Sequence, residues 1–395
     1  MIIRADMDAL ALWGGQPHRL LFFAYGFVLQ FAPWLVDDDD DLDLAMECFI
    51  RRAILHAPPV VPQLRFDITS FSPASARLLF RFEPQNILRL ADFLLGRAPL
   101  KTSQRDRYRP AEGLCILLRV LASPCRLVDL VAEFGRQFGS ISRILSDVAY
   151  CVAQQAKRFL SGIDVSSVRQ NAEDWTNAVE NVTGVETGLW GFLDGKFFFT
   201  GAPVQSGVAF YTYKKRYALK FQVLMSADGL AHSVSGPYLG TWHDWRVCLD
   251  SGILPALARI AQWGAQANPN DQLTLSVGAD SAYSPRAGLM TLKKQLQLDH
   301  DPSLVGLNDA LQAARTEIEH FFALVTNTWP TLRCQDKMRL LQRSVPSLVW
   351  IGVFLTNCCT CANGGNQISD RFNATVPVLP AYLQECTNRA LRMNL

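Results

Sequence analysis

Two aspartates in this chain of 395 residues each follow an apolar, strand-like run, at Leu193-Asp194-Gly195 and at Val277-Gly278-Ala279-Asp280. A strand end holds its side chains rigidly near one edge of a sheet, so the two carboxylates are candidates for a common site. A third acid is available on a helix expected over residues 308–326, where Glu317 and Glu319 stand beside apolar Ile318, Phe321, Phe322 and Val325. Only one of them can share the face of Arg315 and Phe322, and the three- and four-residue spacing selects Glu319. Three carboxylates without a compensating base repel one another, and the usual remedy is a divalent cation that prefers oxygen, Mg²⁺ or Mn²⁺. Two such ions would clamp the attacking and leaving oxygens of a phosphodiester, which points to phosphoryl transfer. Spacing leaves a plainer alternative open: Asp-Gly after a strand is an ordinary turn, and a helical Glu is commonly just solvated.

A fourth carboxylate, Asp244, follows His243. By itself the pair reads as a cap on the helix starting near Trp245. Lys214, Lys215, Arg216 and Lys220 could meet DNA phosphates at the edge of such a site, or could line a solvated strand face.

Positioning these side chains requires strands, and residues 188–282 supply candidates at 188–193, 217–225 and 273–277, with Ala227-Asp228-Gly229 as a turn. Helical patterns lie between and after them, giving an α/β order with a mixed sheet. Upstream, residues 72–159 read as helical without strand-like alternation. This part is basic: residues 101–160 hold ten Lys or Arg against five Asp or Glu. Residues 126–135 form one short expected helix, and Ser140-Ile-Ser142-Arg143 opens a second with hydroxyl caps. That is how a helix-turn-helix would look, with Ser140, Ser142 and Arg143 as DNA contacts; a plain helical bundle is the alternative.

Composition narrows the classes. With 49% apolar residues, 19% charged and a net charge of +2, the chain is neither a histone-like polycation nor a disulfide-held mini-protein. Its ten cysteines are scattered and no secretory pattern precedes them, which fits an intracellular compartment. Cys358, Cys359 and Cys361 cluster without a zinc-finger spacing. Residues 20–36 are apolar but contain Gln30 and Pro33 and run into the acidic block 37–41, so a buried or partner-binding helix is expected in place of a membrane span, followed by a solvated linker.

Five motifs in order carry a resemblance. Gly191-Phe-Leu-Asp194-Gly195 is followed by Tyr213-Lys-Lys-Arg-Tyr-Ala-Leu-Lys-Phe-Gln222 with Asp228-Gly229. Then come Gly236-Pro237 with Gly240-Thr-Trp-His243-Asp244, Gly278-Ala-Asp280-Ser-Ala-Tyr283, and Asn308…Arg315-Thr-Glu-Ile-Glu319-His-Phe-Phe322, with Trp329 shortly after. Over residues 188–330 this order resembles the transposase domain of PIF/Harbinger-type elements, a DDE superfamily endonuclease. The resemblance implies an RNase H-like mixed sheet preceded by an all-α helix-turn-helix domain. Asp194 would lie on the first strand, Asp280 after the fourth and Glu319 on the late helix, with Glu317 as its solvated neighbour.

It also implies a metal-dependent endonuclease that cuts and joins DNA with two Mg²⁺ or Mn²⁺ ions held by Asp194, Asp280 and Glu319, with Asp244 as either a further ligand or a group behind the ligands that positions DNA. Double-stranded DNA is the expected partner and the nucleus the expected compartment; a homo-oligomer and a separate DNA-binding partner protein are compatible, and no membrane role is expected. The alternative is a domesticated protein that keeps the fold and binds DNA or protein without cutting. Two departures from the family pattern stand out: Lys196-Phe-Phe-Phe199 after the first aspartate, and Leu355-Thr356-Asn357 where Leu-His-Asn is expected, which puts neighbouring DNA contacts in doubt. The expected organisation is an extension (1–65), a helical DNA-binding region (66–165), an endonuclease domain (185–360) and a C-terminal tail (361–395).

Overall fold

Prolines and a hydroxyl set where the first helices begin. Ser72 Oγ accepts the Ser75 N–H at 3.1 Å and Pro73 opens α1 (Pro73–Phe80). In α2 (Pro84–Leu95) the buried Ile87, Leu90, Ala91 and Leu94 follow the helical period of the sequence. The computed structural model describes residues 61–395 except 64, 204–206, 268–273, 302–303, 340–343 and 394–395. The apolar stretch 20–36 and the acidic block 37–41 lie outside the described residues.

Contrary to expectation, the helical run is interrupted by a small hairpin of β1 (Leu100–Lys101) and β2 (Arg107–Tyr108). Thr102 Oγ1 donates to Asp106 at 3.0 Å across its turn, a local bond that leaves no hydrophobic period to read. Then come α3 (Pro110–Ala122), buried along nearly its whole length, α4 (Leu130–Phe134), α5 (Phe138–Leu160) and α6 (Val165–Thr183). A left-handed Gly135 (φ 58°) ends α4, but α5 starts at Phe138 with Gln137 at the cap. Ser140 and Ser142 therefore lie inside the helix and do not cap it.

The second half supplies the sheet: β3 (Leu189–Phe199), α7 (Gly207–Phe210), β4 (Ala218–Ser226), β5 (Ala231–Leu239), α8 (Asp244–Asp250), α9 (Leu254–Ala267), β6 (Ser276–Ala279) and β7 (Leu289–Thr291). It continues with α10 (Gln295–His300), α11 (Val305–Thr328), α12 (Val345–Asn363), α13 (Gln367–Phe372) and α14 (Leu379–Arg392). The five strands run in the order β5-β4-β3-β6-β7, antiparallel from β3 to β5 and parallel from β3 through β6 to β7. This mixed sheet with flanking helices is consistent with the RNase H-like fold that the resemblance implies.

The turn at residues 227–229 forms as read: Asp228 Oδ1 accepts the Leu230 N–H at 3.0 Å and Gly229 takes φ 72°. All nine residues of β4 are buried. Its polar-apolar alternation, which suggested a solvated face for Lys220, instead places Lys220 and Gln222 on a covered one.

The helical region and the sheet share one core, since α6 and α11 pack on β3 while α5 and α12 pack on β5. Pro62–Leu395 is one compact unit. The apolar helix α12 has the length and hydropathy of a membrane span, but 83% of that window is buried inside the protein. Its Asn357 accepts the Ala231 N–H at 2.9 Å and donates to the Ala231 carbonyl at 2.8 Å, clamping the start of β5. Thr356 Oγ1 accepts from the indole of Trp329 at 3.2 Å. The Leu-Thr-Asn departure is thus internal scaffolding and makes no surface contact. Residues 361–395, expected to be a tail, are folded: Arg389 on α14 donates to the carbonyls of His232 (2.7 Å) and Gly162 (2.8 Å).

Candidate active site beside the central strand

Asp194 sits in the middle of β3, not at its end, because β3 continues along its antiparallel partner β4 to Phe199. The parallel partner stops earlier. The last paired residues are Leu193 and Ala279, so Asp194 and Asp280 are the next residues on neighbouring strands. Here the register does what the sequence motifs only suggested. Asp194 Oδ1 accepts the Gly195 N–H at 2.8 Å, and Asp280 Oδ1 accepts the Ser281 N–H.

Asp244 opens α8, with His243 in the cap position making no side-chain cap bond. Its Oδ1 would lie only 2.1 Å from a Cβ at Gly195, so the carboxylate presses on the β3 backbone where only glycine leaves room. Lys220 reaches the same oxygen at 3.1 Å. The lysine side chain is 4% exposed and its ammonium lies 4.5 Å from the Phe197 ring centroid. A residue expected to meet DNA phosphates is therefore drawn inward: on a doubly covered strand its charge finds Asp244 in place of solvent.

On the other face of β3, that of Asp194 and Lys196, helix α11 brings up Arg315 and Glu319. Arg315 donates to Glu319 Oε1 at 3.0 Å and has a second nitrogen 3.9 Å from Asp194 Oδ2. Glu319 is exposed on the face read from its spacing. Glu317 is not the solvated neighbour expected: its side chain is 1% exposed, ion-paired to Arg371 of α13 and 3.1 Å from His320 Nδ1. Burying that acid is tolerable only because a guanidinium meets it, which no spacing rule on α11 could reveal.

The electrostatics follow from this crowding. Burial pushes the carboxyl of Asp194 up to about 6; the Gly195 N–H and Arg315 pull it down, and the Asp244 and Asp280 charges push it up again. Lys196, half-buried, has its ammonium lowered by burial and by Lys214. Tyr283, three residues beyond Asp280, is buried and its hydroxyl has no hydrogen-bond partner. It stands 3.7 Å from the Cβ position of Gly195, beside Asp244. In the sequence Tyr283 is only a motif letter, Lys196 a departure from the family pattern and Arg315 the residue whose spacing selects Glu319; their contacts at the site depend on the packing of β3, β6 and α11.

The donors are all oxygens, and burial and like charge oppose ionisation of one of them, which suits a hard divalent cation. Asp194, with Arg315 at 3.9 Å, and Asp280 are the adjacent carboxylates that could hold it. Asp244 is held by Lys220 and Glu319 by Arg315, and among the described residues no three His, Cys, Asp or Glu side chains are grouped to hold an ion. The same holds for Cys358, Cys359 and Cys361 on α12, whose thiols burial pushes well above their ordinary range.

The other expected DNA contacts divide. Lys214, Lys215 and Arg216 are exposed on the loop before β4, with Arg216 stacked 3.8 Å from the Phe199 ring. Arg143 is spent on a bidentate pair with Asp106, at 2.6 and 3.1 Å, and Ser140 and Ser142 are half-buried in α5.

Residues 193–357 match a family model described as DDE superfamily endonuclease, and this span contains all four carboxylates. No curated protein and no solved structure matches the chain.

Proposed function

We propose that this protein is a divalent-metal-dependent DNA endonuclease of the transposase type, of PIF/Harbinger kind, acting through Asp194, Asp280 and Glu319. The observation that carries the reading is the adjacency of Asp194 and Asp280 on parallel strands inside the endonuclease-like span. Asp194 and Asp280 hold Mg²⁺ or Mn²⁺. The bound metal supplies Lewis acidity, activating water and offsetting charge on the scissile phosphate.

The chain's own residues do the rest. Arg315 keeps Glu319 beside Asp194, Gly195 leaves room for Asp244, and Lys214, Lys215 and Arg216 grip backbone phosphates. No covalent enzyme intermediate is required: water cuts one strand, and the freed 3′-hydroxyl attacks a target strand. Residues 126–145 serve as a helix-turn-helix on double-stranded DNA, and the work is nuclear, with a homo-oligomer or a separate DNA-binding partner protein completing the assembly.

The test is nicking of supercoiled DNA with Mg²⁺ or Mn²⁺ by the full chain, beside Asp194→Asn and Glu319→Gln. Metal-dependent nicking that both substitutions abolish is the expected result. A second reading, a domesticated protein that binds without cutting, draws on the Lys220–Asp244 and Arg315–Glu319 pairs, which neutralise acids a nuclease would use. DNA binding without nicking at any metal concentration would favour it and sink the first.

A further inference from the structure

Strand β3 pairs with β4 without a break from Gly191 to Phe199, so its side chains alternate strictly between two faces. Gly195 and Phe197 share one face with Lys220 and Asp244. Asp194 and Lys196 share the other, two residues and about 7 Å apart along the strand. Helix α11 packs on that second face, and Glu319, 56% exposed by side chain, keeps its rim open to solvent.

Lys196 of β3 and Arg315 of α11 are used differently there. Arg315 is spent within the protein: it donates to Glu319 at 3.0 Å and lies 3.9 Å from Asp194. Lys196 makes no ion pair among the described residues, although the charges of Asp194 and Glu319 both act on it. Its ammonium lies 5.7 Å from the centroid of the Phe322 ring, three residues beyond Glu319 and so on the same side of α11. A ring face orients a cation without cancelling its charge. Lys196 is therefore a positioned, half-buried and uncompensated cation two residues from Asp194.

Charge says what belongs against it. A divalent ion held by Asp194 and Asp280 repels an ammonium on the same face unless an anion lies between them. A phosphodiester seated between the aspartates and Lys196 is such an anion. In hydrolysis the water oxygen bonds to phosphorus, the bond from phosphorus to the 3′-oxygen breaks, and that oxygen leaves with the proton the water gives up. Lys196 gives and takes no proton in this step. Its fixed charge stabilises the phosphate oxygens as negative charge gathers on them.

We propose that Lys196 is a catalytic residue that binds a non-bridging oxygen of the scissile phosphate. The assignment rests on the nuclease reading of the site. It sets Lys196 apart from Lys214, Lys215 and Arg216, which are exposed on the loop before β4 and grip flanking phosphates.

Two readouts on the full-length protein test it: the single-turnover rate of nicking supercoiled DNA at saturating protein with Mg²⁺, and the affinity for a linear duplex with Ca²⁺ in place of Mg²⁺ across a range of salt. Lys196→Met keeps the stem and removes the charge. It is expected to lower the saturated rate roughly 100-fold, the low end for losing one donor to a transition state, since Lys196 is only half-buried. It is also expected to reduce the slope of log K against log salt by about 0.9, the equivalent of one phosphate contact. Lys196→Arg, which keeps the charge, is expected to keep the slope and most of the rate. Lys196→Gln supplies the same two readouts should Lys196→Met fail to fold.

An unchanged slope in Lys196→Met would show that no phosphate is contacted, and a reduced slope with an unchanged rate would move the contact to a flanking phosphate. A Lys196→Arg as slow as Lys196→Met would trace the loss to packing on Phe322. Each of these overturns the proposal. A parent that does not nick removes the nuclease reading and this assignment with it, whereas a parent that nicks beside an equally fast Lys196→Met overturns the assignment alone.

Discussion

The helical region and the sheet edge both gather acids and bases, and they treat them in opposite ways. Around α3 and α5 three carboxylates each have their own guanidinium, Asp106 with Arg143, Glu112 with Arg136, and Glu133 with Arg119 at 3.0 and 3.1 Å, while Asp147 accepts from the Tyr108 hydroxyl. The pairing holds the Asp106 carboxyl far below its ordinary range and raises Arg136 and Arg143. Beside β3 the acids outnumber their partners, and Asp194 is pushed up to about 6. Matched pairs lock elements together, whereas crowded carboxyls with raised pKa are enriched at sites that bind or react. The basic excess of residues 101–160 is accordingly spent in part on internal pairs, which weakens the electrostatic case for DNA contact by Arg143.

The contrast breaks most sharply on activity. Asp194→Asn should lower metal-dependent nicking by more than the roughly 10- to 100-fold typical of losing an outer-shell partner of a metal. Arg136→Ala, in the matched region, should leave the rate per folded molecule unchanged. It should cost about 2–3 kcal/mol in urea denaturation, somewhat less than for a wholly buried pair because Arg136 keeps 23% of its side chain in water. An Arg136 variant that folds as stably as the parent but cannot nick DNA would reverse the roles assigned to the two regions.

What could be read beforehand divides along the same line. The strands β3, β4 and β6, the Asp-Gly turn and the face carrying Glu319 follow from periodicity and local turn chemistry, which the chain writes in consecutive residues, whereas β5 and β7 were not read. The adjacency of Asp194 and Asp280 depends on the parallel register Leu193 to Ala279, joining segments more than eighty residues apart. Lys220 was misread for a definite reason. Alternation on β4 is normally the sign of a half-exposed strand, but helices cover this sheet on both sides, so the polar positions became an internal charge pair. Glu317 was misread because its partner Arg371 comes from α13, in a stretch expected to be a tail.

Stability against pH should separate the regions next. A carboxyl whose folded pKa is raised above its unfolded value of 3.8 binds protons more tightly when folded. Asp194 therefore destabilises the cation-free protein above about 6, and the penalty disappears as pH falls from 6 to below 4. Asp194→Asn in the presence of a chelator should be more stable than the parent at pH 8 by roughly 2 kcal/mol, with the difference closing by pH 4. Urea denaturation of both proteins across that range reads it. A parent more stable than the variant at pH 8 without metal would show that Arg315 fully compensates Asp194, leaving no vacancy of charge for a cation.

Asp106→Asn should give the smaller effect and the opposite slope. Its folded pKa lies below the unfolded 3.8, so the pair with Arg143 stabilises the fold above about 4 and is lost as pH falls further. Arg143 keeps 44% of its side chain exposed, so solvent screening limits the loss to about 1 kcal/mol at pH 7. The parent should therefore be the more stable protein at pH 7, with the gap narrowing on acidification, where for Asp194→Asn the variant leads at high pH. If instead Asp106→Asn weakened DNA binding with no change in denaturation, Asp106 would be holding Arg143 in position for phosphate, and the helical region would share the electrostatic task now assigned to the loop of Lys214, Lys215 and Arg216.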